Sequence, residues 1–165
     1  MMTSAPSDQN EDRRHLWERI EKTIWHQGFM VLVVDPLPEE NVLGFAHTIG
    51  LLTTFQHPEI IVFGLEPEIA RQLLTSIGYK LQAGMASIEA DYQYDGLASF
   101  PVRFKTVLDE HYPAYLVAAW SHHAAFRPEE PFRALQMIWP DPRGSSSPWP
   151  DGISNQHVQP TLWMP

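Results

Sequence analysis

The stretch from residue 44 to residue 65 constrains the fold more than any other part of this chain. It holds two apolar runs, 45–51 and 60–63, joined by a polar connection that ends in a His-Pro-Glu sequence at residues 57–59. The second run leads directly to Pro67, which stands where the first residue of a helix is expected. This pattern predicts a strand–loop–strand–helix unit at the centre of the fold, with both strands buried.

The flanking sequence predicts further short elements around one sheet. Helices are predicted at about 12–27, 67–81 and 113–123, strands at about 29–34, 85–88, 98–108 and 134–139, and a loop at 52–56. Short links join the strands, which favours antiparallel pairing. We therefore predict an α+β fold, a single domain with a mixed, mostly antiparallel and curved sheet of about five to six strands flanked by about three helices.

The length and the ends of the chain suit one domain. A chain of 165 residues can bury one sizeable core. Residues 1–11 are small and polar, and we predict a flexible tail there. The domain is expected to span 12–160, with a short C-terminal tail at 161–165.

Composition argues against several classes of function. The net charge is −9 and the 11 basic residues are scattered, so neither nucleic acid nor an anionic membrane is an expected partner. The chain has no cysteine, which excludes disulfides, thiolate nucleophiles and Cys-type zinc sites. The N-terminus lacks the apolar core of a signal peptide and no run is long enough to span a bilayer, so we expect a cytoplasmic protein.

The His-Pro-Glu sequence supplies the best catalytic candidates, His57 and Glu59. A loop between buried strands holds side chains firmly, and an imidazole beside a carboxylate can exchange protons or bind a metal ion. The structural alternative is that His57 hydrogen-bonds to the backbone and fixes the loop, while Pro58 sets the entry to the next strand. Both interpretations are compatible with the sequence.

The preceding strand adds His47 and Thr48 as candidates. If the two strands pair, His47 approaches His57, and His122 is a candidate third ligand for a first-row metal ion. The spacing matches no metal-binding motif, so no metal is predicted, and His47, Thr48 and His57 are assigned to ligand binding. Adjacent His122 and His123 point about 100° apart on a helix, which favours interaction with its carbonyl end over chelation.

The late Trp-Pro-Asp sequence at 139–141 completes the candidate pocket. Asp141 can accept backbone hydrogen bonds in a rigid turn, with Trp139 covering the sheet edge. Alternatively, Trp139 and Asp141 form one wall of a small-molecule pocket.

Three motifs carry a family resemblance. They are Phe-Ala-His-Thr-Ile-Gly-Leu at 45–51, His-Pro-Glu-Ile-Ile-Val-Phe-Gly-Leu at 57–65 and Leu-Gln-Met-Ile-Trp-Pro-Asp at 135–141, the last followed by Gly144 and Pro148-Trp149. Over about residues 15–160 the chain resembles a bacterial family known as domain of unknown function 4262. His47 stands in place of the tyrosine of the family pattern, and Gln56 stands where a glycine often precedes the histidine. The resemblance implies a fold unit and candidate positions, and it implies no reaction.

These observations favour a binding protein over an enzyme. The sequence has no Gly-x-Ser-x-Gly elbow and no phosphate-binding glycine loop. We therefore expect a ligand- or protein-binding accessory module, with a pocket edged by His47, Thr48, His57 and the Trp139 turn. Its partner would be a small molecule or a protein, self-association as a homodimer is a further expectation, and no cofactor is assigned. The alternative is an enzyme that uses the His57 loop, either a metal-dependent hydrolase or a flavin-type oxidoreductase.

Overall fold

Six strands form one sheet with helices on both faces. The computed structural model describes residues 6–140 and 159–165. Its α-helices are α1 (Pro6–Gln27), α2 (Leu51–Phe55), α3 (Pro67–Gln82), α4 (Tyr112–Tyr115) and α5 (Val117–Phe126), and two 3₁₀ turns lie at Pro38–Glu40 and Asp109–His111. Its strands are β1 (Met30–Val34), β2 (Phe45–Ile49), β3 (Glu59–Phe63), β4 (Gln93–Tyr94), β5 (Val102–Thr106) and β6 (Ala134–Ile138).

The strand order is β1-β2-β3-β6-β5-β4. Consecutive strands β1, β2 and β3 pair antiparallel, as do β4, β5 and β6, whereas β3 and β6 at the centre run parallel. The α+β class and the mixed sheet are therefore confirmed. Which strands pair parallel was not predicted, because β6 returns to β3 only after a long crossover, and such a crossover leaves no short-range signal.

The two sheet faces bury different helices. Helix α3 covers one face, where Val31, Ala46 and Leu74 belong to the same buried cluster. Helix α1 covers the other face through a cluster that contains Met30 and Ile49. Neighbouring residues of a strand thus point to opposite faces, as the sequence predicts for this unit.

The helices differ in number and bounds from the prediction. The described residues contain five α-helices rather than about three. One additional helix is α2, which occupies the predicted loop at 52–56. Another arises because the predicted helix at 113–123 is divided at Leu116, whose φ of −125° and ψ of 20° are not helical. Helix α1 begins at Pro6, earlier than the predicted start at Asp12.

The predicted strand at 85–88 is wrong. This segment has no strand, and the sixth strand is instead the short β4, which begins only at Gln93. The backbone N–H of Ile88 hydrogen-bonds to a side chain, Nε2 of His57, rather than to a neighbouring strand. The Ile88 amide thus bonds to the ring of His57 instead of forming the strand-to-strand hydrogen bonds that the apolar pattern predicts.

Gly78 sets the distance between α3 and the sheet. It lies inside α3, and a Cβ at this position would be 2.3 Å from ring carbons of the fully buried Phe29. Alanine at Gly78 would therefore displace a packed aromatic ring or the helix itself.

We predict that Gly78→Ala destabilises the protein even though alanine favours helices. The gain in helix propensity is about 1 kcal/mol, whereas overpacking of a core costs about 1–3 kcal/mol. Because an approach of 2.3 Å calls for the upper part of that range, the free energy of unfolding should fall by about 1–2 kcal/mol. Urea denaturation measures this change. Gly96→Ala is the control, because a Cβ there meets nothing within 4 Å. Equal midpoints for the Gly78 variant and the unchanged protein would contradict the prediction.

Candidate functional site

The carboxylate of Glu59 is the polar centre of the connection between β2 and β3. Its Oε1 accepts hydrogen bonds from the backbone N–H groups of Gly50 at 2.8 Å and Leu52 at 3.2 Å. Its Oε2 accepts hydrogen bonds from Thr48 Oγ1 at 2.6 Å and the N–H of Leu51 at 3.3 Å. One β3 side chain thus satisfies the amides that begin α2, where a negative charge is also favoured by the helix dipole.

Burial and hydrogen bonding act on Glu59 in opposite directions. Burial raises the pKa of this carboxyl group, while the bonds from Thr48 and the α2 amides partly oppose the rise. The hydrogen-bond partners of both oxygens are donors, so these surroundings satisfy the ionised form. The Thr48 hydroxyl also accepts from the N–H of Ile60 at 2.9 Å, which extends the network into β3. This environment suits an anchor better than a group that exchanges protons.

Both ring nitrogens of His57 are hydrogen-bonded. Nδ1 donates to the carbonyl oxygen of Pro58 at 2.6 Å, and Nε2 accepts from the N–H of Ile88 at 3.0 Å. Burial lowers the pKa of His57, and the charge of Arg133 lowers it further, against the effect of the Pro58 bond. His57 is therefore a neutral ring whose two nitrogens join the β3 entry to the segment after α3.

His47 lies on the face of the sheet that α1 covers, opposite the face that α3 covers. Its Nδ1 donates to the carbonyl oxygen of Thr48 at 3.0 Å, and its ring stacks on Phe45 with centroids 6.3 Å apart. Burial lowers the pKa of His47 to about 4, despite the opposing effect of the Thr48 bond. The ring is therefore uncharged at neutral pH, and it lines a cavity of about 280 Å³ between α1, α4, α5 and the strands.

The structure brings together some of the predicted site residues and separates others. Thr48 and Glu59 are in direct contact, whereas His47 pairs across the strands with Ile61 rather than approaching His57. Within residues 6–140 and 159–165, no three His, Asp or Glu side chains come close enough to hold one metal ion.

Trp139 packs against the end of β3. Its indole Nε1 donates to the carbonyl oxygen of Phe63 at 2.7 Å, and its backbone exchanges two hydrogen bonds with the side chain of Gln159. These contacts fix Trp139 where the sheet ends. Asp141 lies outside the described residues.

Thr48, Thr54 and Arg71 carry polar groups that could contact a phosphate, and each bonds to a different neighbour. Thr48 is held by Glu59, and Thr54 Oγ1 donates to the carbonyl oxygen of Gly28 at 2.6 Å. Arg71 lies on α3, with its guanidinium 3.6 Å from the carboxylate of Glu68. Among the described residues, these three polar side chains are therefore bonded in separate parts of the fold.

His122 and His123 bond to different parts of the chain. Thr53 Oγ1 donates to the carbonyl oxygen of Gly50 at 3.2 Å, so it can accept a bond from Nε2 of His122 at 3.2 Å. Nε2 of His123 donates to the carbonyl oxygen of Glu130 at 2.7 Å, and the Nδ1 atoms of both rings are buried without a partner among the described residues. The sequence favours bonds from these two side chains to the last carbonyl groups of α5. Their Nε2 atoms instead bond to residues outside α5. Burial lowers the pKa of His122, and His123 lowers it further.

A groove between α1, α2 and α5 was not predicted from the sequence. It encloses about 770 Å³, and its lining includes Trp25, Thr53, His122, Phe126 and Arg127. The Trp25 side chain is 87% exposed and that of Phe126 is 57% exposed. The buried stripe of α1 contains Leu16, Ile20 and Ile24, and Trp25 lies beside it. A tryptophan outside the apolar stripe of a helix is the sequence signal that could have indicated this surface.

These features define an α+β protein in which a buried carboxylate holds the central strand connection and an aromatic groove lies between helices. The chain belongs to the family described as a domain of unknown function, DUF4262, whose model matches residues 23–154. Neither the comparison with curated proteins nor the comparison with solved structures finds a match. Within the described part of the chain, no helix is both long and apolar enough to cross a membrane.

We predict that Glu59→Gln destabilises the fold. The glutamine side chain has the same shape, but one of the two oxygens is replaced by an NH₂ group. That group would face the donors that now bond to an oxygen of Glu59, and the free energy of unfolding should fall by about 2–4 kcal/mol. Urea denaturation measures the loss, and hydrogen exchange at Gly50 and Leu52 should accelerate. Glu68→Gln is the control, because that side chain is 63% exposed. Unchanged exchange at the α2 amides would contradict the anchoring role.

We predict that stability falls as the pH is lowered from about 6.5 to about 4, with His47 as one cause. The pKa of His47 falls from 6.5 to about 4 on burial, so in this window the unfolded chain binds a proton that the folded chain does not. Burial of His57 and His122 acts in the same direction. His47→Gln should flatten the pH dependence of the unfolding free energy, whereas Gln9→Ala, which replaces no titratable group at an exposed position of α1, should leave its slope unchanged. The same slope in both variants would rule out this contribution.

Proposed function

We propose that this protein is a non-enzymatic accessory module that binds a small molecule or a protein partner in the groove between α1, α2 and α5. The observation that carries the proposal is the pair of exposed aromatic side chains, Trp25 and Phe126, on the two sides of a recess of about 770 Å³. That volume lies in the range of about 300–1,000 Å³ that small-molecule sites occupy. Large aromatic side chains left in water at one place are typical of binding surfaces.

The polar lining supports an aromatic ligand that carries a negative charge. Lys22 and Arg127 contribute two cationic groups to the lining and Glu21 contributes one anionic group, and the guanidinium of Arg127 also lies 3.8 Å from the carboxylate of Glu130. Thr53 and the uncharged ring of His122 also belong to the lining, and their side chains are hydrogen-bonded to each other. An aromatic body can stack on the indole of Trp25 while its anionic group meets the cationic side chains.

The alternative of an enzyme that uses the His57 loop has less support. Both nitrogens of His57 are engaged, and the carboxylate of Glu59 receives its hydrogen bonds from the start of α2 and from Thr48. The proposal includes a cytoplasmic location, for which the sequence composition is the support. A homodimer formed through exposed aromatic side chains such as Trp120 belongs to the same proposal.

The groove can be tested with anilinonaphthalene sulfonate, a fluorescent aromatic anion. We expect saturable binding to the folded protein, with energy transfer from tryptophan. Trp25→Ala and Phe126→Ala should each weaken binding about tenfold, because each removes an aromatic wall.

Tyr92→Ala is the matched control, since Tyr92 is also exposed but lies in the turn before β4. Circular dichroism would show that each variant is folded, which separates loss of the groove from unfolding. Equal affinities of the Trp25 and Tyr92 variants would sink the proposed site.

A further inference from the structure

The cavity beside His47 is distinct from the aromatic groove. It encloses about 280 Å³, and its lining is mostly apolar, with Leu16, Trp17, Leu32, Tyr115 and Ala118 among its residues. Its polar lining includes the imidazole of His47, Ser121 and Arg13. The helices on its two sides are α1 and α5, further towards the start of each helix than the groove.

The hydrogen bonds of His47 define what the cavity can recognise. A carbonyl oxygen can only accept, so Nδ1 carries the proton in its 3.0 Å bond to the oxygen of Thr48. Nε2 of an uncharged ring is then an acceptor, and no residue in the described ranges donates to it. The side chain is only 2% exposed and lines the cavity, so a ligand in the cavity can reach this acceptor. An acceptor without a protein partner favours a ligand that brings one donor group.

The remaining lining narrows the class of ligand. The apolar walls favour a compact hydrocarbon or aromatic body. A carboxylate has no proton to give to Nε2, and Arg13 at the lining disfavours a cation such as an ammonium group. The ligand group must therefore donate a hydrogen bond to Nε2 and carry no positive charge. A neutral hydroxyl group does both.

We infer that the cavity binds a small neutral phenol, whose hydroxyl group donates a hydrogen bond to Nε2 of His47. The inference extends the proposed binding function, but it uses a different cavity. The two can therefore fail separately.

The test uses phenol and benzene as probes of the full-length protein, followed by two-dimensional NMR. Phenol should give saturable shifts of resonances from α1, α5 and the His47 ring, and benzene should bind at least about tenfold more weakly. In His47→Phe the ring remains but the acceptor is lost, so the affinity for phenol should fall to that for benzene. Ser121→Ala is the control for the other hydroxyl group of the lining, and it should bind phenol as the unchanged protein does.

A second variant covers the case in which His47→Phe fails to fold. Ala118→Met fills the cavity from α5 without touching the acceptor, and it should abolish the binding of both probes. Trp25→Ala should leave phenol binding unchanged, which separates this cavity from the groove. The inference is overturned if phenol and benzene bind equally, if Ala118→Met still binds phenol, or if Trp25→Ala loses it.

Discussion

The fold depends on one buried carboxylate. Glu59 opens β3, and it gathers the hydroxyl group of Thr48 and three amides at the start of α2. An unpaired buried charge costs several kcal/mol, so these contacts make the ionised side chain tolerable in the core. The two strands, the short helix and the carboxylate thus require one another, and the rest of the sheet is built outwards from this unit.

The sequence predicts those parts of the fold that follow from local periodicity. The apolar run at 60–63 and the proline at the start of α3 are both found where they are predicted. Gly28 ends α1 in the left-handed conformation, at φ +89°. Local patterns fail where a distant group supplies the deciding contact. The segment 85–88 has an apolar pattern typical of a strand, but its Ile88 amide meets the ring of His57 instead of a neighbouring strand.

The candidate site is predicted less completely than the fold. The sequence correctly places Thr48 on a buried strand, but it places Glu59 in the connecting loop rather than at the start of β3, and it does not reveal that the carboxylate faces the amides of α2. It assigns His47 and His57 to one pocket, although the pairing of β2 with β3 leaves them with different neighbours. The groove beside Trp25 depends on how α1 and α5 are spaced across the sheet. Such spacing is a tertiary property, which the pattern of a single helix cannot contain.

Gln56 adopts a backbone conformation that glycine adopts most easily. It ends α2 in the left-handed region at φ 57°, and its N–H bonds back to the carbonyl groups of Leu51 and Leu52. Glycine adopts this conformation at least cost, whereas a residue with a side chain loses roughly 1 kcal/mol there. Because His57 and Glu59 hold the loop on the far side, its shape does not require glycine at residue 56. The connection between β2 and β3 therefore accommodates a side chain at a left-handed position that glycine would occupy at lower cost.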